Sequence, residues 1–209
     1  MDAKTEILDR IRAVGPIPSR EVPRNYRLHG DGHDVIAEMV EMLEDYSAEV
    51  VRVQSAGIPD AVADYMAKDD VKSVVVAAGV PAAWKEAAGR DNRVVKEDNP
   101  PLSNQELNET DAVLVASRCG ISLSGTIVLD HQADQGRRAI SLVPDTLIVV
   151  LRASTVFATV PEAVALLSEH PERPTTWIAG PSATSDIELV RVNGVHGPRN
   201  LRVVIVEDE

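Results

Sequence analysis

Residues 35–79, "VIAEMVEMLEDYSAEVVRVQSAGIPDAVADYMAKDDVKSVVVAAG", decide the fold, because helical and extended patterns alternate within them. Val35, Ile36, Met39, Val40 and Leu43 share one helical face, "EVVRV" (49–53) then reads as a strand, "PDAVADYMAKD" (59–69) as a helix and "KSVVVAAG" (72–79) as a second strand. Pro59 and Pro81 stand where helices begin, the position at which a missing N–H is harmless. Strands that alternate with helices imply right-handed crossovers and a mainly parallel sheet covered on both faces. An almost unbroken apolar run such as "SVVVAA" suits a strand buried on both sides.

The pattern continues outward. "PAAWKEAAG" (81–89) predicts a helix, residues 93–95 a short strand, Ser103 and Glu106 a capping box, and residues 112–116 a further strand. "GISLSGTIVLDHQADQGRRAISLVPDTLIVVL" (120–151) packs three apolar runs between glycine and polar turns, which predicts antiparallel strands inserted in or attached to the sheet. Thr159 and Glu162 form another capping box, with Pro161 at the helix start. "TTWIAG" (175–180) and "LRVVIVED" (201–208) close the chain as strands. The expected fold class is α/β, a three-layer α/β/α arrangement with a mixed, mostly parallel sheet. Residues 1–32 read as an amphipathic helix and a Pro-rich arm, and residues 33–209 as one α/β domain; in the helix Ile7, Leu8, Ile11 and Val14 interrupt alternating charges.

The 209 residues carry 21 Lys and Arg against 33 Asp and Glu, a formal net charge of -12. That balance opposes the counterion release behind nucleic-acid affinity and repels anionic membranes. Aromatics are only 3% of the residues, too few for base-stacking platforms, so nucleic acid is not an expected partner. The single cysteine, Cys119, cannot form an internal disulfide or hold an iron–sulfur cluster alone. No run approaches the roughly 20 apolar residues of a membrane span. The amphipathic start lacks a secretory core, so a cytoplasmic location is expected.

The densest punctuation lies in "WIAGPSATSDIELVRVNGVHGP" (177–198). A strand that ends at Gly180, followed by a helix opening at Ser182 to Asp186, would put free amides and a positive dipole end at a strand's carboxyl end. Gly180 and Pro181 shape that turn, and Ser182, Thr184 and Ser185 add hydroxyls for a small anion. The alternative is purely structural: Ser185 and Glu188 cap the helix while Asp186 complements its dipole. Gly194 would end the helix, and His196 and Gly197 follow in the next turn; His196 is read either as structural or, with Asp186, as an acid–base pair. A second candidate is "RCGISLSGTIVLD" (118–130). There Gly125 and Thr126 are expected to lie beside the 180–185 loop, and Ser122 and Ser124 add hydroxyls; a plain hairpin turn is the other reading. Cys119 fits an inert, small apolar role better than a nucleophile's. Asp130, His131 and Asp134 resemble metal ligands only in composition, and no metal is expected.

On "SGTIVLD" (124–130), "AGPSATSDIE" (179–188) and "GVHGPRNLRVVIVED" (194–208), in this order, the chain resembles the lactate-utilisation protein C (LutC/YkgG) family, whose module is the LUD domain. The likeness extends more weakly back to about residue 33 and touches the opening "EILDRIR". It implies a fold similar to the sugar-phosphate isomerase and CoA-transferase group and to 5-formyltetrahydrofolate cyclo-ligase. It also implies a part in oxidising L-lactate to pyruvate beside two iron–sulfur proteins, with the clusters held by those partners and no cofactor on this chain. Many members of that family carry an acidic residue where this chain has Leu123, so a carboxylate nucleophile lacks its obvious candidate.

The leading functional expectation is therefore an accessory subunit of an iron–sulfur lactate-oxidation system that binds a small anionic or phosphate-bearing ligand. The alternatives are an autonomous enzyme acting on a sugar-phosphate, CoA or folate/nucleotide-type substrate, and a regulatory or scaffold domain. A homo-oligomer is compatible with each of these readings.

Overall fold

The computed structural model describes residues 2–15, 21–185, 191–193 and 197–209, with the backbone alone at 183–185 and 191–193. Helix α1 (Ala3–Ala13) buries none of its residues. Helix α2 (Val35–Asp45) starts where the Asp34 carboxylate accepts the Ile36 and Ala37 N–H groups, and it buries Met39 and Leu43. The alternation read from residues 35–79 follows as β1 (Glu49–Val53), α3 (Ile58–Lys68) and β2 (Ser73–Val76). It continues through α4 (Ala82–Ala88), β3 (Val94–Glu97), α5 (Asn104–Asn108) and β4 (Ala112–Ala116). Ser103 and Glu106 make the predicted capping box at α5. The remainder comprises β5 (Cys119–Ile121), β6 (Thr126–Leu129), β7 (Thr146–Arg152), β8 (Val156–Phe157), α6 (Val160–Leu167), β9 (Thr176–Ala179), β10 (Ala183–Ser185), β11 (Arg191–Asn193) and β12 (Asn200–Val206).

The central sheet has six strands in the order β1-β12-β7-β4-β2-β3, and every pairing in it is parallel. The chain moves one way along it from β1 to β2 to β3, then the opposite way from β3 to β4, β7 and β12. Right-handed crossovers put oppositely directed connections on opposite faces. Helices α3 and α4 therefore share one face, where they pack on each other. The other face carries α5, α2 and a four-stranded sheet of order β8-β5-β6-β9. The three expected layers are present, and the mixed pairing is confined to this smaller sheet: β5 runs parallel to β8 and antiparallel to β6. All five residues of β4 are buried, as a strand covered on both faces requires.

Two expectations change. The third apolar run of residues 120–151 is not antiparallel: it is β7, a parallel strand between β12 and β4. A run buried on both faces has no alternation to reveal its partners or their direction. The helix expected after Gly180 is replaced at residues 183–185 by β10, paired antiparallel with β11 so that Thr184 faces Val192. β-branched residues favour such paired extended backbone over a helical start.

Glycines decide how α2 seats on the smaller sheet. β6 and β9 pair antiparallel with Thr126 opposite Ala179, so Gly125 and Gly180 are neighbours just beyond the ladder. Their φ angles are 57° and 80°. A Cβ on Gly125 would stand 2.9 Å from the Met42 carbonyl carbon, and one on Gly180 would stand 2.8 Å from Tyr46 Cβ. Both glycines thus accept the C-terminal half of α2 at a distance no side chain permits.

The arm is fastened near its end. The Thr159 hydroxyl donates to Leu28 O at 3.0 Å. His33 contacts Asp31 and stands 2.7 Å from Glu38 of α2, and these two carboxylates raise its pKa. A raised folded pKa means the clamp is fully formed below about pH 6.5 and is lost as the pH climbs through the raised value. Proteolysis between α1 and α2 should therefore accelerate from pH 6 to pH 8.5, and His33→Gln should remove that dependence.

Gly125→Ala should destabilise the protein by about 1–3 kcal/mol in urea denaturation, since it combines a left-handed backbone with contact against a helix backbone. Gly32→Ala, at φ 88° in open space, should lose less; equal losses would show that α2 yields.

Candidate functional site

The segment between β6 and β7 builds the site. Its first part enters the carboxyl edge of the central sheet between β2 and β4: Ala133 O accepts the Gly79 N–H at 2.8 Å and Asp134 O accepts the Ala116 N–H at 2.9 Å. This is where the connections leaving neighbouring strands diverge, β2 toward β3 and β4 toward β7, and such divergence opens a crevice in α/β sheets. The insert is tight, for a Cβ on Gly79 would meet the Ala133 carbonyl carbon at 2.6 Å. The chain then turns at Gly136, passes Arg137 and a 3-10 turn (Arg138–Ser141) packed on β4, and reaches β7 at the amino edge.

Two cavities lie along this path, together termed the groove. Its carboxyl-end cavity, about 550 Å³, is lined by Ala77, Ala78, Asp98, His131, Arg137 and Ile140 among others. Its amino-end cavity, about 240 Å³, is lined by Ser141, Trp177, Gly180, Pro181, Ser182 and Gly197 among others. Arg138 lines both.

Charges along the groove are unevenly engaged. Arg137 grips Asp98 through Nε (2.6 Å) and Nη2 (2.9 Å), and Nη2 also donates to Leu102 O at 2.5 Å. Burial alone would raise the Asp98 carboxyl, but the Arg137 guanidinium and the Leu102 N–H outweigh it and hold the group below the ordinary carboxylate range. Among the described residues Arg138 has no ion-pair or hydrogen-bond partner for its guanidinium. His131, at φ 59°, is held at both ring nitrogens: Nδ1 lies 2.9 Å from Gly136 O and Nε2 lies 2.8 Å from Thr176 Oγ1. A carbonyl only accepts, so Nδ1 carries the hydrogen, and in the neutral ring Thr176 donates to Nε2.

The residues expected to form the site divide. Gly180, Pro181, Ser182 and Gly197 line the amino-end cavity. The Ser182 N–H donates to Pro198 O at 2.7 Å and is engaged. Gly125 and Thr126 neighbour Gly180 but lie under α2 and line neither cavity; the Thr126 hydroxyl is 2.8 Å from that of Ser124. Thr184 and Ser185 belong to β10, where the helix they were to open does not form. Asp186 and His196 lie outside the described residues. β9, which carries the motif turn, belongs to the smaller sheet and ends near Pro198 at the amino side of β12, not at the carboxyl edge of the parallel sheet.

Asp130 is engaged by Arg173 at 3.0 Å and by Gln132. No group of three or more His, Cys, Asp or Glu side chains that could hold a metal occurs among the described residues. Cys119 is fully buried, and burial pushes its thiol up to about 11, which disfavours the reactive thiolate. No helix among the described residues is long and apolar enough to cross a membrane. Arg137, Arg138, Asp98 and Thr176 were not singled out by sequence reasoning. The available signal was "GRRAIS" (136–141), two adjacent arginines in a strongly acidic chain.

Fold and cavities together define a three-layer α/β protein with two cavities along the segment that links β6 to β7. The profile of the LUD domain family matches residues 36–206. The chain is 44% identical over 209 residues to lactate utilization protein C of Deinococcus radiodurans, covering 98% of this chain and 96% of that one. It is 36% identical over 131 residues to the Escherichia coli protein YkgG, covering 60% of this chain and 52% of YkgG. A crystal structure of a DUF162 family protein from Deinococcus radiodurans superposes with a TM-score of 0.70 at 38% identity, covering 82% of this chain and 96% of that one. The chain belongs to the LUD domain family.

Asp98→Asn should destabilise the protein by about 1.5–3 kcal/mol near neutral pH, because the bidentate grip on Arg137 loses its charge. Asp98 has a depressed folded pKa, so its contribution is present above about pH 3.9 and fades as the pH falls through the folded value. Denaturation across pH 3–7 should show the gap between wild type and variant closing only at the acid end.

Proposed function

We propose that this protein serves lactate utilisation as an accessory subunit beside iron–sulfur proteins, and that it holds a small carboxylate or phosphate anion in the groove at Arg138. The proposed setting is the cytoplasm. The single observation that carries the ligand reading is Arg138, an exposed residue that lines both cavities and whose guanidinium has no partner among the described residues. In a chain of formal charge -12 an uncommitted arginine facing a cleft favours an anion there, and its planar fork suits carboxylate or phosphate. The lactate setting is supported by the relatives named lactate utilization protein C, one of them 44% identical over nearly the whole chain. One buried cysteine provides no ligand set for a cluster, so the redox centres would reside on partner proteins.

The groove also favours a second reading, an enzyme that acts without partners. The Thr176 hydroxyl lies 2.8 Å from His131 Nε2, and the ring is oriented by Gly136 O, an arrangement that suits proton transfer. Turnover of a small carboxylate by the isolated chain, lost in His131→Gln, would favour it.

Calorimetric titration with lactate, pyruvate and inorganic phosphate should show saturable binding of at least one. Arg138→Ala should weaken that binding roughly 10- to 100-fold, the loss of charge-assisted hydrogen bonds of about 1.5–3 kcal/mol. Deletion of the gene should abolish growth on lactate. Normal growth together with binding unchanged in Arg138→Ala would overturn the proposal.

A further inference from the structure

The carboxyl-end cavity suits a larger ligand than a bare anion. At about 550 Å³ it lies within the range of drug-sized ligand sites, whereas the amino-end cavity has about 240 Å³. Ala77, Ala78, Pro101, Ile140 and Pro174 give it apolar walls. Two consecutive arginines, Arg137 and the exposed Arg138, are among the residues that line it. Arg137 is fixed in orientation because Nε and Nη2 are engaged by Asp98 and Leu102 O, while its Nη1 has no partner among the described residues. That nitrogen is not sealed in protein, for the one buried side-chain polar atom without a partner among the described residues is Arg93 Nη1. Arg138 follows with its whole guanidinium uncommitted. The acidic residues on the wall are already engaged, Asp98 by Arg137 and Glu97 by Lys85.

Adjacent arginines in the chain, one with its guanidinium fixed in plane and one uncommitted, offer several N–H donors to a tetrahedral oxyanion. The apolar walls disfavour a body that is hydroxylated throughout and favour one with a planar face. The cavity also adjoins the divergence between β2 and β4, where open α/β sheets receive ligands. We propose that the carboxyl-end cavity binds a nucleoside phosphate, its phosphate on Arg137 and Arg138 and its base against Ala78 and the neighbouring apolar wall. The proposal rests on the reading of Arg138 as an anion anchor and adds the ligand's class.

Calorimetry on the full chain with adenosine monophosphate, adenosine and inorganic phosphate separates the two claims. Adenosine monophosphate should bind at least tenfold more tightly than phosphate, and adenosine more weakly than the monophosphate. Arg137→Lys keeps the charge but loses the fork, and should weaken the monophosphate roughly tenfold. Ala78→Phe, at an exposed wall position, should weaken the monophosphate at least tenfold more than phosphate. Thermal melts of both variants establish that they remain folded. If phosphate or lactate binds in an Arg138-dependent way while the monophosphate binds no more tightly than phosphate, the nucleoside assignment falls and the anion anchor stands. If none of the anions binds, both fall. Tight monophosphate binding that is indifferent to both Arg137→Lys and Ala78→Phe would place the ligand elsewhere and overturn the proposal.

Discussion

The backbone of Ala133 and Asp134, wedged between the carboxyl ends of β2 and β4, fixes the geometry on which the groove depends. Two hydrogen bonds hold it, Gly79 N–H to Ala133 O and Ala116 N–H to Asp134 O, one to the exit of each strand. Ala77 N–H in turn donates to Leu114 O, which continues the β2–β4 ladder to the wedge. Without this anchorage the segment from Asp130 to Asp145 would be a loop with no defined course over the sheet. With it, Arg137 is delivered to Asp98 at the end of β3, and Arg138 follows onto the face of β4. Gly79 is required because any larger residue would strike the Ala133 backbone.

A second constraint holds the opposite wall. β9 is paired to β6, and α2 is pressed onto the ends of both strands at Gly125 and Gly180. The motif glycines therefore act at one remove: they let a helix backbone approach, and the helix sets where β9 and the Pro181–Ser182 turn lie. His131 and Thr176 tie the two walls together, one residue from the wedge segment and one from β9. Such a tie keeps the cavities apart while leaving Arg138 common to both.

The alternation of residues 35–116 was legible because burial follows the local period there: a helix with one buried face, or a strand with two, announces itself within a dozen residues. The capping boxes at Ser103 and Thr159 were legible for the same reason, since both partners stand three positions apart. What escaped is long-range. β7 carries no sign of its direction, because residues buried on both faces do not alternate. Ser182, Thr184 and Ser185 have the composition of a helix start, yet the Ser182 N–H is taken by Pro198 and Thr184 pairs with Val192. Gly125 and Gly180 were correctly placed together, but their partner was a helix some eighty residues earlier for one and well over a hundred for the other. The Asp98–Arg137 pair joins positions 39 apart, and neither residue stands in a recognisable motif.

The acidity of the chain bears on the groove in a way composition alone does not show. A net charge of -12 is a long-range field that repels anions from the surface at large, and ordinary salt screens it over roughly 8–10 Å. At shorter range the neighbours decide. Asp98 sits beside the cavity but is neutralised by Arg137, and Asp130 is engaged by Arg173, so neither competes for Arg138. The same Asp98 whose charge alone would repel an anion also prevents Arg137 from folding away, since a bidentate pair fixes both position and plane. Asp98 and Asp130 thus hold Arg137 and Arg173 in place, and Arg138, paired to neither, carries a charge opposite to that of the molecule as a whole.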